Sequence, residues 1–594
     1  MDPLKEYQTR LAAWQQKADR HELLHRRLGN LRLGFVFFLL VLAVWLCQSQ
    51  VAVGWVFVML VAGIFSSGML HDTVLNRRDH ARRAVGFYQA GLDRLTDAWR
   101  GKGSSGAEFL DPHHPYAADL DLFGKGSLFE LLNTAQTQGG QAMLAGWLLR
   151  PGAPEEIQAR HAIVDELRPM LDLRERLGVL AGEAQKHIKT DSLAAWARQP
   201  PILESGPVRA AAFCLPWLNL GLFIYGAVNG DIWLFGITFT AQLLVAWRYQ
   251  QRVNKVIRSI DSPARDLNRL AGLLGCFERQ QFHTAGLQQL EAACRSLDIS
   301  AGESIRRLAR LSDWLEWRDN YIAAPFCAFA MWGTQFAFAI EAWRANFGSM
   351  IEVWLRSLAE FEALCSLASY AFEHPSDPFP KLIVDSTSMT VQADGLGHPL
   401  IAETRCVRND ARLGPDCRLL VISGSNMSGK STYLRALGVN IVLAMAGAPV
   451  RARELRMTPL QIGASMRAVD SLQEGVSRFY SEISRLQEIV KLTSHAPPVL
   501  FLLDELLSGT NSHDRRVGAA SIVRSLVQRG AMGLVTTHDL ALTQIVEQME
   551  PKGANFHFED QLENGRLNFD YRLRPGIVEK SNPLELMRAI GLEV

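Results

Sequence analysis

Two long apolar stretches stand out from the mixed hydrophobic and polar pattern of the chain. The first covers residues 33–68 and pauses at Gln48-Ser49-Gln50, and the second covers residues 206–248 and turns at Asn229-Gly230-Asp231. A membrane-spanning helix needs about 20 apolar residues, so each stretch has the length of a helical hairpin with a short outer turn. The pattern therefore predicts two transmembrane hairpins. Buried core helices are the alternative, because several of the segments are short for a span.

The basic residues around these stretches predict their orientation. Lys and Arg are frequent before residue 33, between residues 77 and 83, and directly after residue 247, whereas both turns lack them. By the positive-inside rule, the N-terminus, the C-terminus and the C-terminal domain lie in the cytoplasm of a multi-pass protein, which we expect in a bacterial inner membrane. About 30 mostly charged and polar residues precede the first stretch, which disfavours a cleaved signal peptide.

A third apolar segment, residues 321–340, contains Pro325, Gly333 and Gln335. One further span would move the C-terminal half of the chain to the opposite side of the membrane from the N-terminus. We therefore interpret this segment as a helix of the protein core.

The remaining sequence divides into helical and mixed regions. Residues 119–205 and 249–380 show helical periodicity, and a proline-rich stretch near residue 378 ends the second region. Residues 381–594 alternate short β-branched runs with helical segments, which is typical of an α/β domain. Residues 1–32 form an N-terminal segment, and residues 69–118 form a linker with some helical character. The predicted fold is an α/β C-terminal domain attached to an all-α core with two transmembrane hairpins.

Composition narrows the choice of ligands. The chain has 62 Lys and Arg against 61 Asp and Glu, so its net charge of +1 gives no overall electrostatic reason for nucleic-acid binding. DNA contact would need a local patch such as Arg306, Arg307, Arg310 and Arg318, although a charge run is usually a solvated face. The eight cysteines are scattered without zinc spacing, so we expect a reduced protein without a metal other than a nucleotide-bound ion.

A phosphate-binding loop follows the strand-like run at residues 419–423. The loop and the start of the next helix consist of Gly424, Ser425, Asn426, Met427, Ser428, Gly429, Lys430, Ser431 and Thr432. This is the P-loop spacing in its required strand and helix context. We expect the loop amides and Lys430 to bind phosphates and the Ser431 hydroxyl to ligate Mg²⁺. The sequence therefore predicts a site for ATP and Mg²⁺.

Two further strand ends carry candidate catalytic residues. The apolar run at residues 499–503 leads into Asp504 and Glu505, and the run at residues 533–537 ends at His538. Asp504 suits a ligand of Mg²⁺, and Glu505 suits a base that orients the attacking water. His538 is expected to contact the γ-phosphate or that water. An acidic pair or a histidine alone is weak support, and the P-loop gives both more weight.

Four segments together resemble the ATPase domain of the MutS family of DNA mismatch repair proteins. They are residues 424–435, 470–482, 504–514 and 536–538, and they follow the order that the family shows. The resemblance implies a dimer in which Ser477 reaches the ATP of the partner subunit. It also implies a dimer-facing loop that contains Gly509, Thr510, Asn511 and Ser512.

The resemblance extends over most of residues 122–592, and residues 127–151 are similar to the opening of the family's helical core. No segment corresponds to the mismatch-reading domain, and the second hairpin lies where the lever and DNA clamp are expected. The family's C-terminal dimer extension also has no counterpart. Cys406 occupies a position where the family often has an aromatic residue for adenine. ATP hydrolysis is therefore a stronger inference than mismatch recognition.

These features predict a membrane-anchored, Mg²⁺-dependent ATP hydrolase that works as a homodimeric switch. By resemblance it binds double-stranded DNA, mismatched or structured, beside inner-membrane lipid. The alternative is a switch that acts on an unidentified protein or membrane partner without DNA. An ABC transporter is disfavoured because residues 483–498 lack a Leu-Ser-Gly-Gly-Gln-like signature. A chromosome-maintenance ATPase is also disfavoured, because it would need a much longer coiled-coil insertion.

Overall fold

The computed structural model describes residues 2–48, 53–181, 190–203, 206–296, 299–320, 323–384, 388–425, 427–466, 478–507, 511–549, 553–563 and 566–578. The chain forms two compact units. One consists of Met1–Lys102 and Leu171–Lys186, and the other consists of Gly103–Met170 and His187–Val594.

The α-helices are α1 (Pro3–Gln48), α2 (Val53–Leu95), α3 (Leu128–Leu132), α4 (Gln138–Leu149), α5 (Pro154–Leu167), α6 (Leu171–Ala181), α7 (Thr190–Ala197), α8 (Gly206–Asn229), α9 (Trp233–Glu278), α10 (Ala285–Cys294), α11 (Ala301–Glu316), α12 (Ala324–Phe329), α13 (Trp332–Glu373), α14 (Lys430–Ala446), α15 (Arg478–Leu492) and α16 (Ser512–Gln528). The strands are β1 (Arg295–Ser296), β2 (Ile299–Ser300), β3 (Lys381–Leu382), β4 (Val391–Leu396), β5 (Asn409–Leu413), β6 (Leu419–Ser423), β7 (Glu454–Met457), β8 (Gln461–Ser465), β9 (Val499–Asp504), β10 (Met532–Thr537), β11 (Ala554–Glu563) and β12 (Arg566–Pro575).

In the first unit, α1 and α2 pack side by side in opposite directions. Tyr7 contacts Tyr88 near one end, and Trp14 contacts His80 one turn or more further along. Helix α6 packs on α2, and its Glu175 accepts hydrogen bonds from the Tyr88 hydroxyl and from Trp14 Nε1. Hydrogen bonds from one buried and one partly buried aromatic side chain therefore fix α6 to the α1–α2 pair.

Helix α13 is the spine of the helical part of the second unit. The apolar residues Ile351, Leu355 and Leu358, which recur at helical spacing, are buried, and helices α4, α5, α7, α9, α10 and α11 pack around α13. Near its C-terminal end, the fully buried Glu362 accepts a hydrogen bond from the Thr137 hydroxyl and one from Gln136 N at 3.1 Å. Since Thr137 caps the N-terminus of α4, this carboxyl group joins two helices that are distant in sequence.

The C-terminal region is the predicted α/β domain. Its main sheet has the order β12-β11-β6-β10-β9-β8, with all neighbours parallel except the β11–β12 pair. A second sheet has the order β3-β7-β4-β5. Strands β6, β9 and β10 are almost entirely buried, which explains why they appear in the sequence as continuous apolar runs. Their carboxyl ends meet at one edge, where open α/β sheets bind ligands.

Two complete transmembrane hairpins are not supported. Among the described residues, one helix, α8, is long and apolar enough to cross a membrane, with a mean hydropathy of 1.6 over its best window. The apolar start of α9 is diluted by Thr238, Thr240 and Gln242. The first predicted hairpin falls on α1 and α2, and residues 49–52 with many side chains up to residue 70 lie outside the described part.

The third apolar segment is not one continuous core helix, which corrects the interpretation made from the sequence. It is divided between α12 and the start of α13, and the break is at Met331, whose φ is +49°. Ala337, Phe338 and Ile340 are buried as expected, but Phe326 is 76% exposed. Pro325 fits the start of α12 because its missing N–H is not needed in the first helical turn.

Candidate functional site

The phosphate-binding loop connects the buried strand β6 to the N-terminus of α14. Gly424, Met427 and Gly429 have φ values of +148°, +69° and +108°. A Cβ atom at Gly424 would lie 2.9 Å from the carbonyl oxygen of Phe558, so a side chain has no room there. Gly429 directly precedes Lys430, the first residue of α14. The loop thus turns tightly onto a helix N-terminus, which is a favourable place for anions, while Asn426 lies outside the described residues.

The buried polar groups of the loop fit a phosphate ligand. Lys430 is 5% exposed, and its Nζ atom donates to the carbonyl oxygens of Gly424 at 2.8 Å and Ser425 at 2.7 Å. The side-chain hydroxyls of Ser425 and Ser428 are buried and lack a hydrogen-bond partner within the described part of the chain. A buried hydroxyl without a partner costs about 1–3 kcal/mol, so these groups indicate a place for an oxygen-rich ligand.

Asp504 and Glu505 lie at the end of β9, beside the end of β10. The Thr536 hydroxyl donates to the Asp504 carboxylate, and Glu505 N donates to Thr536 Oγ1 at 3.2 Å. Glu505 has a φ of +48°, a conformation that is uncommon for a residue with a side chain and that often marks functional sites. Its Oε1 atom lies 4.0 Å from Lys430 Nζ.

His538 completes this group from the end of β10. Its Nδ1 atom lies 3.6 Å from Glu505 Oε1, and its side chain is about half exposed. The register of the sheet explains the meeting, because Thr536 pairs with Asp504 and Thr537 pairs with Ser423. Glu505 therefore lies near both Lys430 and His538 at one edge of the sheet.

A small pocket beside Glu505 and His538 includes residues that sequence reasoning did not single out. Arg515 of α16 and Asp539 line it, and Arg515 Nη2 lies 3.7 Å from Asp539 Oδ2. Asp539 also caps the following 3-10 helix by accepting from Ala541 N at 3.0 Å. The pair ties the start of α16 to the residue next to His538. The spacing of charges in the sequence gives no signal for this contact.

A second missed residue is Tyr571 of β12. A Cβ atom at Gly429 would lie 3.2 Å from its ring, so this half-exposed aromatic side chain stands directly beside the loop. Its position is held by Asn409, whose Nδ2 atom donates to Tyr571 O at 3.0 Å and whose Oδ1 atom accepts from Leu573 N at 2.8 Å. Tyr571 therefore places an aromatic ring beside the loop. An aromatic residue in a β-hairpin far from the loop was the available signal.

The residues available for Mg²⁺ are Ser431 in the first turn of α14 and Asp504 at the end of β9. In the described residues no group of three or more His, Cys, Asp or Glu side chains could hold a metal ion. A P-loop magnesium site needs only a hydroxyl and a carboxylate because phosphate oxygens and water supply the other ligands. The donor set at this edge fits that kind of site.

The predicted dimer-facing residues are only partly described. Asn511 caps α16 by accepting from Asp514 N at 2.9 Å, and Ser512 is the first residue of that helix. Ser477, Gly509 and Thr510 lie outside the described residues. Their role stays a prediction.

Comparisons with known proteins find similarity over the C-terminal part of the chain. Residues 420–593 match the model of MutS domain V. The chain is 32% identical over 242 residues to the DNA mismatch repair protein MutS 2 of Halobacterium salinarum, covering 40% of this chain and 27% of that protein. It is 31% identical over 252 residues to the DNA mismatch repair protein MutS of Natronomonas pharaonis, covering 41% and 28%.

A third relative is the endonuclease MutS2 of Thermus thermophilus, which is 33% identical over 204 residues, covering 33% of this chain and 25% of that protein. The chain thus spans about a quarter of the length of the curated relatives it matches. All of the strands and side chains described above as the phosphate site, apart from the first residue of β6, Asn409 and Cys406, fall within the matched domain. Over its C-terminal part this chain therefore carries a domain of the MutS domain V type, and it is similar to MutS proteins there.

Proposed function

We propose that the protein hydrolyses ATP to ADP and phosphate by in-line attack of water. The observation that carries this proposal is that Glu505 Oε1, directly after β9, lies 4.0 Å from Lys430 Nζ and 3.6 Å from His538 Nδ1. The loop amides and Lys430 would stabilise the phosphate charge, Glu505 would polarise the water, and His538 would contact the γ-phosphate or that water. Ser431 and Asp504 would hold Mg²⁺, which would neutralise charge on the phosphates.

The active form in this proposal is a homodimer. Ser477 of a second copy would complete each ATP site, and the loop with Gly509, Thr510, Asn511 and Ser512 would face that copy. The resemblance to the MutS family supports this arrangement. Glu482 links the segment that contains Ser477 to the dimer-facing loop within one subunit. Its carboxylate accepts a hydrogen bond from Leu507 N, close to that loop.

The first candidate for the ligand moved by this switch is double-stranded DNA. The relatives' names support it, because two are DNA mismatch repair proteins and one is an endonuclease. The basic residues on α11 give less support. Arg306, Arg307 and Arg310 all lie within 3.6 Å of the Glu303 carboxylate, so part of their charge is already neutralised.

The second candidate is a membrane or protein partner without DNA, and the surface of the α8–α9 hairpin favours the membrane. Large apolar side chains face outward along both helices, including Trp217 (65% exposed), Val228 (80%) and Trp247 (73%). Asn219 and Gln242 are buried instead, and Asn219 Nδ2 donates to Gln242 Oε1 at 2.6 Å. A helix pair that is apolar outside and polar inside suits lipid, so we propose that this hairpin anchors the protein in the bacterial inner membrane with the ATPase domain in the cytoplasm.

The ATPase rate of the reconstituted protein with and without duplex, mismatched and branched DNA separates the two candidates. Phosphate contacts weaken with salt, so stimulation by DNA that falls between low and moderate salt would support the first. Turnover that is unchanged by every DNA would support the second. The Lys430→Met variant serves as the blank for contaminating ATPases.

A further inference from the structure

Helix α12 and its neighbours form an exposed aromatic surface. Phe326 is 76% exposed, and Trp314 and Trp317 are 53% and 62% exposed. The rings of Trp314 and Trp332 stack at 5.7 Å, and Trp332 Nε1 donates to the carbonyl oxygen of Trp314 at 2.8 Å. The surfaces of soluble proteins rarely expose several large aromatic rings together unless these rings contact a partner or a membrane.

This surface is continuous with the apolar α8–α9 hairpin. The rings of Phe329 and Phe239 stack at 6.2 Å, and Gln242 Nε2 donates to the carbonyl oxygen of Phe329 at 2.6 Å. Gln335 Nε2 donates to the carbonyl oxygens of Ala330 at 2.8 Å and of Ala212 at 3.2 Å. The break between α12 and α13 frees backbone carbonyls, and these two glutamines satisfy them from inside the bundle. Internal satisfaction of freed carbonyls is what a broken helix needs at membrane depth.

The contacts also set the level of α12 along the hairpin. Gln242 and Phe239 precede Arg248, the first basic residue of α9, by six and nine residues. At 1.5 Å per residue these positions lie about 9 and 14 Å beyond Arg248 along the helix. The hydrocarbon half of a bilayer is about 15 Å thick, so α12 lies at the depth of the leaflet on the ATPase side.

We propose that α12 enters the lipid leaflet on the ATPase side, with Phe326 in contact with acyl chains and Trp314 and Trp317 at the headgroup level. This inference rests on the proposed membrane location of the α8–α9 hairpin. Indole rings favour the headgroup region because they combine an apolar body with an N–H donor, and Phe326 has no polar atom to satisfy.

The consequence is a direct link between the lipid leaflet and the ATPase domain. Helix α13 begins next to α12 and runs 42 residues to Glu373. At its far end Tyr370 donates to Asp377, and Asp377 lies 3.5 Å from Arg451, which follows α14. One helix therefore joins the leaflet surface to the region behind the P-loop helix.

Nitroxide labels placed one at a time at Phe326→Cys, Val353→Cys and Ile224→Cys test the inference in lipid nanodiscs. Val353 is a matched control, because it is a 44% exposed apolar residue further along α13, and Ile224 is 56% exposed on the hairpin. A Cys214→Ser background removes an exposed cysteine, and the protein without an added cysteine gives the remaining background. The readout is the accessibility of each label to oxygen, which enters lipid, relative to a water-soluble nickel complex.

We expect a several-fold higher ratio of oxygen to nickel accessibility at positions 326 and 224 than at position 353. A lipid-like ratio at 224 with a water-like ratio at 326 overturns the inference while the hairpin anchor stands. A water-like ratio at both positions overturns the membrane proposal as well. A label at 326 that neither reagent reaches indicates a protein partner and also contradicts the inference. Exposed positions were chosen so that folding is retained, and circular dichroism checks each variant.

Discussion

Lys430 shows how much a single residue is determined by its neighbours in sequence. The spacing of glycines before it, the strand before the loop and the helix after it are all local features, so its place at the phosphate site is predictable from the sequence alone. Its amine is buried and donates to two loop carbonyls. An incoming phosphate offers the same amine a charged acceptor.

The first prediction concerns Lys430→Met. Hydrogen bonds to charged groups contribute about 1.5–3 kcal/mol, so the variant should bind a fluorescent ATP analogue about tenfold or more weakly than the wild type. Lys491→Met is the control, because Lys491 is an exposed lysine at the end of α15, away from the loop. Equal affinity of the Lys430 variant and the control would argue against the phosphate site.

Arg515 shows the opposite case. Its contact with Asp539 joins residues from two elements that the main sheet brings together, and nothing in the local sequence indicates it. Tyr571 was missed for the same reason, since the pairing of β11 with β6 and the hydrogen bonds of Asn409 bring the C-terminal hairpin to the loop. Long-range pairing, rather than local propensity, places both residues.

The second prediction is that Arg515 acts as a positioning residue for His538. Arg515→Ala and Asp539→Asn should each lower kcat for ATP about tenfold with little change in KM, because loosening one ion pair beside a catalytic site costs on the order of 1–2 kcal/mol. The double variant should be no slower than either single variant, since both remove the same contact. Arg529→Ala at the exposed end of α16 is the control. Wild-type turnover in Arg515→Ala would refute this role.

At the scale of elements, the joint between α13 and α4 carries an unusual carboxyl group. Burial raises the pKa of Glu362 to about 7, although hydrogen bonds from Thr137 and Gln136 act in the opposite direction. The folded protein therefore holds a proton on Glu362 that the unfolded chain releases near pH 4.5. Its contribution to stability is complete below that pH and is lost as the pH rises through about 7.

The third prediction follows from this sign. Between about pH 5 and pH 8 the Tm of the wild type should fall by more than that of Glu362→Gln, which has no proton to lose. The difference corresponds to about 1–3 kcal/mol at the joint. Asp377 also titrates in this range, because burial raises its pKa to about 6, so the comparison between the two proteins isolates Glu362. Parallel pH profiles for the two proteins would contradict the assignment.

The apolar elements show where pattern reasoning reaches its limit. The periodicity of α13 indicated its buried face, because apolar residues that recur every three or four positions lie on one side of a helix. Residues 321–340 were assigned to one core helix because a further membrane span would move the C-terminal half across the membrane. This argument does not consider a segment that divides into a short helix and the start of a second one. The exposed ring of Phe326 and the positive φ of Met331 reveal that break.

For the whole molecule, the motifs and the apolar strand segments predicted the α/β domain. They did not predict how the chain divides into two compact units. The motifs indicate that β6, β9 and β10 contribute to one site because each motif lies at the end of its strand. The division into two units depends on α6, which leaves its sequence neighbours to pack on α2. No local sequence pattern indicates that α6 packs on α2.

The fourth prediction addresses the dimer. Lys430→Met and Ser477→Ala should each lack turnover alone, but an equal mixture of the two proteins should regain about a quarter of the wild-type rate. Half of the dimers in the mixture are mixed, and each keeps one intact site of two if Ser477 acts across the interface. Exchange of subunits is checked with differently tagged chains. A mixture that stays inactive despite exchange would exclude a composite site.

The rate of phosphate release by the wild type and by Glu505→Gln decides whether ATP is hydrolysed at the edge where Lys430, Glu505 and His538 lie. A positioned general base contributes about 10²–10⁴-fold to turnover, so the variant should lose at least about a hundredfold in kcat while it binds ATP as tightly as the wild type. Wild-type turnover in Glu505→Gln, or no nucleotide binding by the wild type, would contradict the account.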